Sequence, residues 1–462
     1  MKNAVSSFRH LAVLLHRWAG LTIAAFLIVS GLTGAVISWD HELDEVLNPH
    51  LTKVDSVGAL QDPIDLAEKI EKENPQVQVT YFEFGAEPGH SLSYWVDPLT
   101  NPETGELYTP GFNQIFIDPV SGEELGRREW GAVWPITTEN FVSFLYKFHY
   151  SLHIPEFWGT DHWGMWLLGV IALIWTLDCF TGFYLTLPSR RRVRIANNDD
   201  TADEGIMSER AMPERATFWE RWSSAWKVRW KSSSHKLNFD LHRAFSLWTW
   251  ALLFVIAFTA FSLNLYREVF YPVMSLVSDV SPTPFDTRVP SGPTNVVVSE
   301  FSFDEVVDKA AVLAEQRGWT ETVGSLWYAR EFGIFRVEFF SPEAGHGTGG
   351  VGHKAIYIDS TSGEYLGDWL PWKGTAADLF VQAQFPLHSG RILGLPGRIL
   401  ISLMGIVVAM LSITGVVIWW RKYKARALKQ KNAIEDSLTD RYVLEDEPTA
   451  VQAMPEPSDG RF

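Results

Sequence analysis

The chain contains almost no cysteine, and this scarcity limits its chemistry. Its 462 residues include one cysteine, Cys179, which excludes an internal disulfide framework and metal sites built from several thiolates. Positive charge is also scarce: 39 basic residues stand against 55 acidic ones, giving a formal net charge of −16. Nucleic-acid phosphates select basic surfaces, so no nucleic-acid partner is expected. The glycine-rich segment 345–353 lacks the P-loop lysine and the dinucleotide spacing, so it is not a nucleotide site.

Long apolar runs are the main positive feature. A helix needs about 20 apolar residues to cross a bilayer, and four windows meet this requirement: Trp18 to Trp39, Trp163 to Leu187, Ala244 to Tyr266 and Ile399 to Trp420. The second window alone carries a charged residue, Asp178. The 21 tryptophans are in keeping with this prediction, because tryptophan gathers at membrane interfaces. The sequence therefore predicts four transmembrane helices.

The charges beside these windows predict their orientation, because lysine and arginine are retained on the cytoplasmic side. Basic residues lie before the first and third windows and after the second and fourth: Arg9, Arg17, residues 190–194, Lys231, Lys236, Arg243, Arg421, Lys422 and Lys424. Acidic residues such as Asp40 and Asp161 lie at the opposite ends. We expect both termini in the cytoplasm. The first window is too long for a signal peptide and lacks a small-residue cleavage site, which favours an uncleaved anchor.

The two halves of the sequence resemble each other, which predicts an internal duplication. Residues 15–20 correspond to 241–246, residues 115–126 to 356–367, residues 151–153 to 386–388, and residues 181–182 to 414–415. Each half reads as a helix, an external unit and a second helix. Both external units combine an amphipathic helix, alternating strands and an Asp-x-x-Ser-Gly turn, a pattern typical of small α+β modules.

The predicted fold is a membrane bundle of four transmembrane helices with two external α+β modules. The predicted segments are the N-terminus and first span (1–39), the first module (40–160), the second span (161–188), a cytoplasmic loop (189–242), the third span (243–267), the second module (268–395), the fourth span (396–421) and a cytoplasmic tail (422–462). Within the loop, Trp219, Trp222, Trp226 and Trp230 recur at helical spacing. This spacing predicts a helix in the headgroup layer, with a soluble amphipathic helix as the alternative.

Several short motifs occur in a fixed order, some of them in both halves. They are Leu-His-Arg at 15–17 and 241–243, Ser-Gly-Leu-Thr-Gly at 30–34, His-Glu-Leu-Asp at 41–44, and Ile-Asp-x-x-Ser-Gly-Glu at 117–123 and 358–364. Together they resemble the PepSY-associated transmembrane family over nearly the whole chain. That family includes bacterial inner-membrane reductases that release iron from ferric siderophores with b-type haems. The resemblance implies periplasmic PepSY-like modules, haem b and a ferric siderophore or other ferric chelate.

Four histidines occupy two pairs of matching repeat positions. His16 and His242 lie at the cytoplasmic mouths of their helices, and His153 and His388 lie on the outer side. A haem in a helical bundle takes axial ligands from facing helices, and imidazole suits its iron. We therefore expect two haems, one near each leaflet. His149 lies one helical turn from His153 and is the alternative outer ligand, while helix capping is the alternative role for all of them.

Asp178 lies well inside the second predicted span. A carboxyl group at that depth is costly unless it is paired or functional. Its repeat counterpart is Leu411, so duplication alone does not explain it. We interpret it as a residue with a proton-relay or quinol-side role, with a hydrogen-bonded or protonated packing residue as the alternative.

Pairs of tryptophans follow the repeated strands. Trp130 and Trp134 follow the first strand, and Trp369 and Trp372 follow the second. These side chains are expected to line a pocket for a ferric chelate, or else to anchor the protein in the membrane interface.

Two functions of different classes remain open at this point. The first is a haem reductase that carries electrons to a periplasmic ferric chelate. Because no flavin or nucleotide motif is present, its donor would be a quinol or a separate cytoplasmic protein. The second is a non-catalytic membrane sensor that binds a peptide or regulates a peptidase. Membrane lipid is a partner in both cases.

Overall fold

The computed structural model describes residues 2–188 and 217–445. The basic run 190–194, which helped to orient the second span, lies outside the described residues. The helices are α1 (Lys2–Ile37), α2 (Asp40–Leu47), α3 (Pro49–Thr52), α4 (Pro63–Glu73), α5 (Thr138–Ser151), α6 (Trp163–Thr186), α7 (Phe218–Ser223), α8 (Ser234–Trp248), α9 (Trp250–Asn264), α10 (Tyr271–Val277), α11 (Pro284–Thr287), α12 (Phe303–Gln316), α13 (Ala376–Gln382), α14 (Gln384–Ser389) and α15 (Leu395–Glu445). The strands are β1 (Val77–Glu83), β2 (Leu92–Pro98), β3 (Gln114–Ile117), β4 (Glu124–Arg128), β5 (Val323–Ala329), β6 (Ile334–Phe339), β7 (Lys354–Asp359) and β8 (Tyr365–Trp369).

Three described helices are long and apolar enough to cross a membrane. They are Phe8–Ile37 within α1, Trp163–Thr186 and Leu395–Glu435 within α15, with mean hydropathies of 2.1, 1.7 and 2.5. They coincide with the first, second and fourth predicted windows. The described residues therefore form a multi-pass membrane protein. Helix α15 runs on to Glu445, so much of the predicted cytoplasmic tail is helical.

The third predicted window is not a straight helix. Helices α8 and α9 meet at Thr249 with a bend of 72°, and together they are long and apolar enough for a fourth span. The Thr249 hydroxyl donates to the carbonyl of Phe245 at 2.7 Å, a back-bond that bends helices. On the N-terminal side of the bend, α8 runs beside α15, where the Asn238 amide donates to the carbonyl of Thr414. The bend thereby brings His242 against α15.

All eight strands form one antiparallel sheet in the order β4-β3-β2-β1-β5-β6-β7-β8. The first four strands come from the first half of the chain and the last four from the second. They join where β1 pairs with β5, with Phe82 opposite Leu326. We predicted two separate modules, and the structure has one continuous sheet instead. Pairing β1 with β5 satisfies two strand edges that would otherwise expose free backbone groups. The duplication itself stays a prediction.

A single apolar core lies on one face of the sheet, against α4 and α12. It takes side chains from both halves, and Phe82, Tyr94, Leu326 and Phe335 are fully buried in it. Strands β2 and β6 show the alternating burial expected of a sheet with one covered face. The two halves of the sheet therefore pack as one unit.

The opposite face of the sheet lies over one end of the helical bundle. Arg128 of β4 donates to both carboxylate oxygens of Asp44 on α2, each at 2.8 Å. Trp95 of β2 contacts Trp130, and Trp130 contacts Tyr146 of α5. We call this end of the bundle the sheet end. The other end, called the basic end, carries Arg9, Arg17, Arg243, Lys422 and Arg426.

The predicted tryptophan-rich helix is shorter than expected. Helix α7 and the 3-10 turn after it end at Trp226, so Trp230 lies outside the helix. Trp222 donates to the Thr186 hydroxyl at the end of α6. The Arg229 guanidinium pairs with the buried Asp240 of α8. These contacts hold the segment against α6 and α8. The chain is no longer helical where Arg229 reaches Asp240.

Candidate functional site

Two histidine pairs lie in the bundle, one at each end. The ring centroids of His16 on α1 and His242 on α8 are 6.2 Å apart at the basic end. Those of His149 on α5 and His388 on α14 are also 6.2 Å apart, at the sheet end. The rings are tilted by 55° in the first pair and 50° in the second. Each pair takes one histidine from each half of the chain.

The expected pairing of His153 with His388 was wrong, since His149 faces His388 instead. His153 stacks on Phe144 at 4.6 Å, and its Nε2 lies 2.9 Å from the Phe144 carbonyl oxygen. His153 also lies beyond the end of α5, with φ of 53°. It is therefore engaged with its own helix.

The error comes from matching the short Leu-His sequence at 152–153 with that at 387–388, whereas the helix starts match His149 with His388 to within one residue. Helix α5 begins at a capping box formed by Thr137 and Asn140, and α13 begins at one formed by Thr375 and Asp378. Aligned on these caps, His149 and His388 both follow after about three helical turns. The break at Ala383, between α13 and α14, accommodates one additional residue. The capping boxes were the sequence signal that would have given the correct alignment.

Threonine hydroxyls orient both histidines at the sheet end. Thr33 Oγ1 lies 3.0 Å from His149 Nδ1, and Thr259 Oγ1 lies 3.0 Å from His388 Nδ1. Each hydroxyl already donates to a backbone carbonyl one turn earlier, at 2.8 and 2.7 Å. With its one proton used, the hydroxyl can only accept from Nδ1–H. We missed these threonines in the sequence, although they stand at the same distance after His16 and His242.

At the basic end the two histidines have different partners. His16 Nδ1 lies 2.9 and 3.0 Å from the two carboxylate oxygens of Asp178. His242 Nδ1 lies 3.0 Å from the Leu411 carbonyl oxygen and 3.1 Å from Thr414 Oγ1. A carbonyl and a carboxylate accept only, so both Nδ1 atoms carry the proton.

In the neutral imidazole, whose one N–H is then at Nδ1, the second ring nitrogen of each of the four histidines is an acceptor. No hydrogen bond to these four Nε2 atoms is found in the described part of the chain, and neutral imidazole nitrogen is a common metal ligand. Residues 2–188 and 217–445 contain no group of three or more His, Cys, Asp or Glu residues that could hold a bare metal ion. Each pair thus offers two nitrogen ligands and no more.

Glycines lie against three of these imidazoles. A Cβ added at Gly34 would stand 2.9 Å from His149 Cε1, one at Gly415 would stand 3.2 Å from His242 Cε1, and one at Gly182 would stand 3.4 Å from His16 Cε1. Side chains at Gly34 and Gly415 would crowd the rings, so at these two positions glycine is needed for the histidines as well as for close helix packing.

A cavity of about 470 Å³ surrounds the pair at the basic end. His16 and His242 line it, and at Gly20 an added Cβ would meet no atom within 4 Å. Its mouth carries the cations that define the basic end. The buried Nε of Arg17 has no hydrogen-bond partner among the described residues. The cavity can therefore take a flat apolar group with an anionic edge.

A second cavity, of about 600 Å³, lies on the sheet face that is turned towards the bundle. Its lining residues come from β1, β2, β5 and β6: Thr80, Tyr81, Trp95, Asp97, Ser325, Trp327, Arg336 and Glu338. We refer to it as the sheet cavity. Trp95 in its wall contacts Trp130, and the Trp130 ring in turn contacts Tyr146 on α5, the helix that carries His149.

The four tryptophans predicted to bind substrate do not form one cluster. Trp130 contacts the wall of the sheet cavity, whereas Trp134 is 81% exposed. Trp372 donates to the carbonyl of Thr348 in the glycine-rich segment, and Trp369 ends β8. No ring contact joins these four residues to one another in the described part of the chain. Sequence reasoning missed Trp95 and Trp327, which lie within strands.

Comparison with known families gives one match. The model of the PepSY-associated TM region matches residues 13–422, which include both histidine pairs and the whole sheet. No curated protein matches the chain. Since the match covers most of the sequence, the chain belongs to the PepSY-associated TM region family.

Proposed function

We propose that this protein is an inner-membrane b-type haem reductase, which moves electrons across the membrane to a periplasmic ferric chelate such as a ferric siderophore. The observation that carries the proposal is the presence of two matching histidine pairs at opposite ends of one bundle. In this proposal His16 and His242 hold one haem, and His149 and His388 hold the other.

The geometry of the pairs supports axial ligation. The ring centroids of each pair are 6.2 Å apart. This spacing would leave room for one metal ion between two imidazole nitrogens, with bonds of about 2.0 Å. At the basic end, the free Nε of Arg17 is also suited to a propionate. A bound haem supplies a one-electron carrier, while the protein orients the ligands and excludes water.

The proposed orientation follows from charge. The basic end faces the cytoplasm, because positive residues are retained there, and the sheet lies in the periplasm. Electrons enter at the basic end from a quinol or a cytoplasmic donor protein.

The sheet cavity is the proposed substrate site. Trp95 and Trp327 offer apolar faces for a chelate, while Asp97 and the Arg336–Glu338 ion pair offer polar contacts. Trp130 and Tyr146 connect this cavity to α5 through ring contacts of 5.6 and 5.7 Å. A chelate bound there lies on the side of the protein that carries His149. Reduction weakens the chelate, because hard oxygen donors hold Fe(III) better than Fe(II).

The experiment is a visible spectrum of the detergent-purified, full-length protein before and after dithionite, with pyridine haemochrome quantification. We expect the narrow reduced bands of low-spin haem b, at about two haems per chain. A reduced sample should then reoxidise on addition of a ferric trihydroxamate, with Fe(II) trapped by ferrozine.

A colourless protein from haem-replete cells would overturn the proposal. It would leave the non-catalytic sensor as the function to pursue. A protein that contains haem but shows no ferric reductase activity would support the cofactor assignment and contradict the proposed substrate.

A further inference from the structure

Asp178 makes one of the four histidines different from the other three. Its carboxylate accepts from His16 Nδ1–H through both oxygens, and its side chain is only 11% exposed. The equivalent nitrogens of His149, His242 and His388 meet only neutral hydroxyl or carbonyl oxygens. The basic end therefore has an anion behind one histidine, and the sheet end has none behind either.

The matching position of the second half provides an internal comparison. There Leu411 replaces Asp178, and its backbone carbonyl accepts from His242 Nδ1–H at 3.0 Å. The chain can thus hold a histidine in this orientation without a carboxylate. Orientation alone does not account for Asp178.

A threonine holds the carboxylate in place. The Thr181 hydroxyl donates to Asp178 Oδ1 at 2.5 Å, so Asp178 presents both oxygens to the imidazole. The matching Thr414 lies 3.1 Å from His242 Nδ1 itself. The same Thr-Gly motif therefore serves a carboxylate in one half and the imidazole directly in the other.

A carboxylate behind a ligating imidazole changes the ligand's basicity. A charged acceptor makes a stronger hydrogen bond than a neutral one, and it draws the Nδ1 proton away from the ring. The ring then donates more electron density through Nε2. A more basic ligand favours Fe(III) over Fe(II), which lowers the reduction potential.

We propose that Asp178 is a positioning residue that acts through His16 and makes the basic-end iron the stronger reductant of the two. This inference rests on the proposed binding of haem iron by the histidine pairs. With haem bound, an electron would be transferred from the basic end to the sheet end, while the Nδ1 proton would stay between His16 and Asp178. Asp178 thereby gives the transfer its outward direction, a role distinct from the proton relay that its sequence position suggested.

The test is a spectroelectrochemical titration of the full-length, haem-loaded protein. Each variant is made in the wild-type chain and in a His149→Ala chain, in which the remaining signal belongs to the basic end. Asp178→Asn keeps the size of the side chain and removes its charge. We expect it to change the reduction equilibrium at the basic end at least tenfold towards Fe(II), which is 59 mV for one electron, and to leave the sheet end within threefold.

Three further variants separate charge from structure. Asp178→Glu should restore most of the shift, since it returns the carboxylate. Thr181→Val should give a smaller shift in the same direction, because Asp178 remains but is held less firmly. Thr414→Val, the matched control, removes a neutral contact of His242 and should change the equilibrium less than threefold.

The outcomes distinguish this inference from the proposed function. Wild-type protein without haem contradicts the proposed function. Haem-loaded Asp178→Asn protein with an equilibrium within threefold of wild type overturns the inference alone. If Asp178→Asn loses its haem, Thr181→Val decides, and an unshifted equilibrium in that variant also overturns the inference.

Discussion

His149 and His388 face each other across the sheet end of the bundle with ring centroids 6.2 Å apart, and each is held by a threonine of a different long helix. This relationship repeats the spacing of His16 and His242 at the other end. Two histidine pairs of the same spacing thus lie at opposite ends of the bundle, and single substitutions can test each pair separately.

Replacing His149 should remove the haem at the sheet end. We expect His149→Ala to lower the haem content from about two per chain to about one, because the iron loses an axial ligand. His153→Ala is the matched control, since His153 lies one turn away and contacts Phe144. Pyridine haemochrome quantification measures both variants. Loss of haem in His153→Ala with retention in His149→Ala would reverse our assignment.

Replacing His16 or His242 should remove the haem at the basic end, because the two residues form one site. Each single variant is expected to retain about one haem per chain, and the double variant should retain the same amount. Difference spectra and haem content are the measurements. A double variant with less haem than either single variant would show that His16 and His242 serve separate sites.

A methyl group at Gly34 should disturb the sheet-end site. Its Cβ would stand 2.9 Å from His149 Cε1, which is too close for an unstrained contact, so the ring must move. We expect Gly34→Ala to lose about half of the haem. Leu32→Ala on the same helix is the control, because Leu32 is 49% exposed on the bundle surface. Equal haem content in the two variants would contradict the role given to Gly34.

The sheet cavity can be tested without any redox step by using a Ga(III) trihydroxamate, a redox-inert analogue of the ferric chelate. We expect Trp327→Ala to weaken its binding about tenfold, since loss of a buried aromatic contact costs about 1–2 kcal/mol. Trp134→Ala should bind as wild type does, because Trp134 is exposed and is not part of the cavity lining. Isothermal titration calorimetry measures both variants. Identical affinities would place the chelate elsewhere.

Asp359 should make the sheet sensitive to acid. Burial alone would raise the pKa of Asp359, but bonds from Ser362, Thr361 and Arg288 outweigh it and hold the pKa well below its usual 3.8. A depressed pKa stabilises the fold above the usual value, and this stabilisation is lost as the pH falls below about 4. Asp359→Asn should cost about 1–3 kcal/mol at pH 7.

The measurement for Asp359 is thermal unfolding followed by tryptophan fluorescence at pH 7 and at pH 3. The difference between wild type and Asp359→Asn should shrink at the lower pH. Glu364→Gln, a change at an exposed position after the same turn, is the control and should match wild type. A constant difference at both pH values would contradict the proposed charge effect.

The sequence was sufficient to predict the long apolar helices and the Asp-x-x-Ser-Gly turns. It also singled out His16 and His242, because the Leu-His-Arg motif occurs twice, and the structure brings these two side chains together. It could not align the sheet end correctly, since the short Leu-His match of residues 152–153 with 387–388 pointed to His153, four residues away from His149. The contact of Asp178 with His16 depends on how α1 packs on α6. The pairing of β1 with β5 likewise joins segments that no local pattern connects.

The pairing of β1 with β5 also determines the order of biogenesis. When the first half of the chain leaves the ribosome, β1 is an open edge, and neither His16 nor His149 has its partner. The sheet can close only after β5 has been synthesised, and the sheet-end pair is complete only after His388 has followed it. The sheet-end pair therefore stays incomplete until most of the chain has been synthesised, whereas His16 has its partner once His242 has been made. A nascent chain that stops before β5 leaves the edge of β1 open to pairing with another strand.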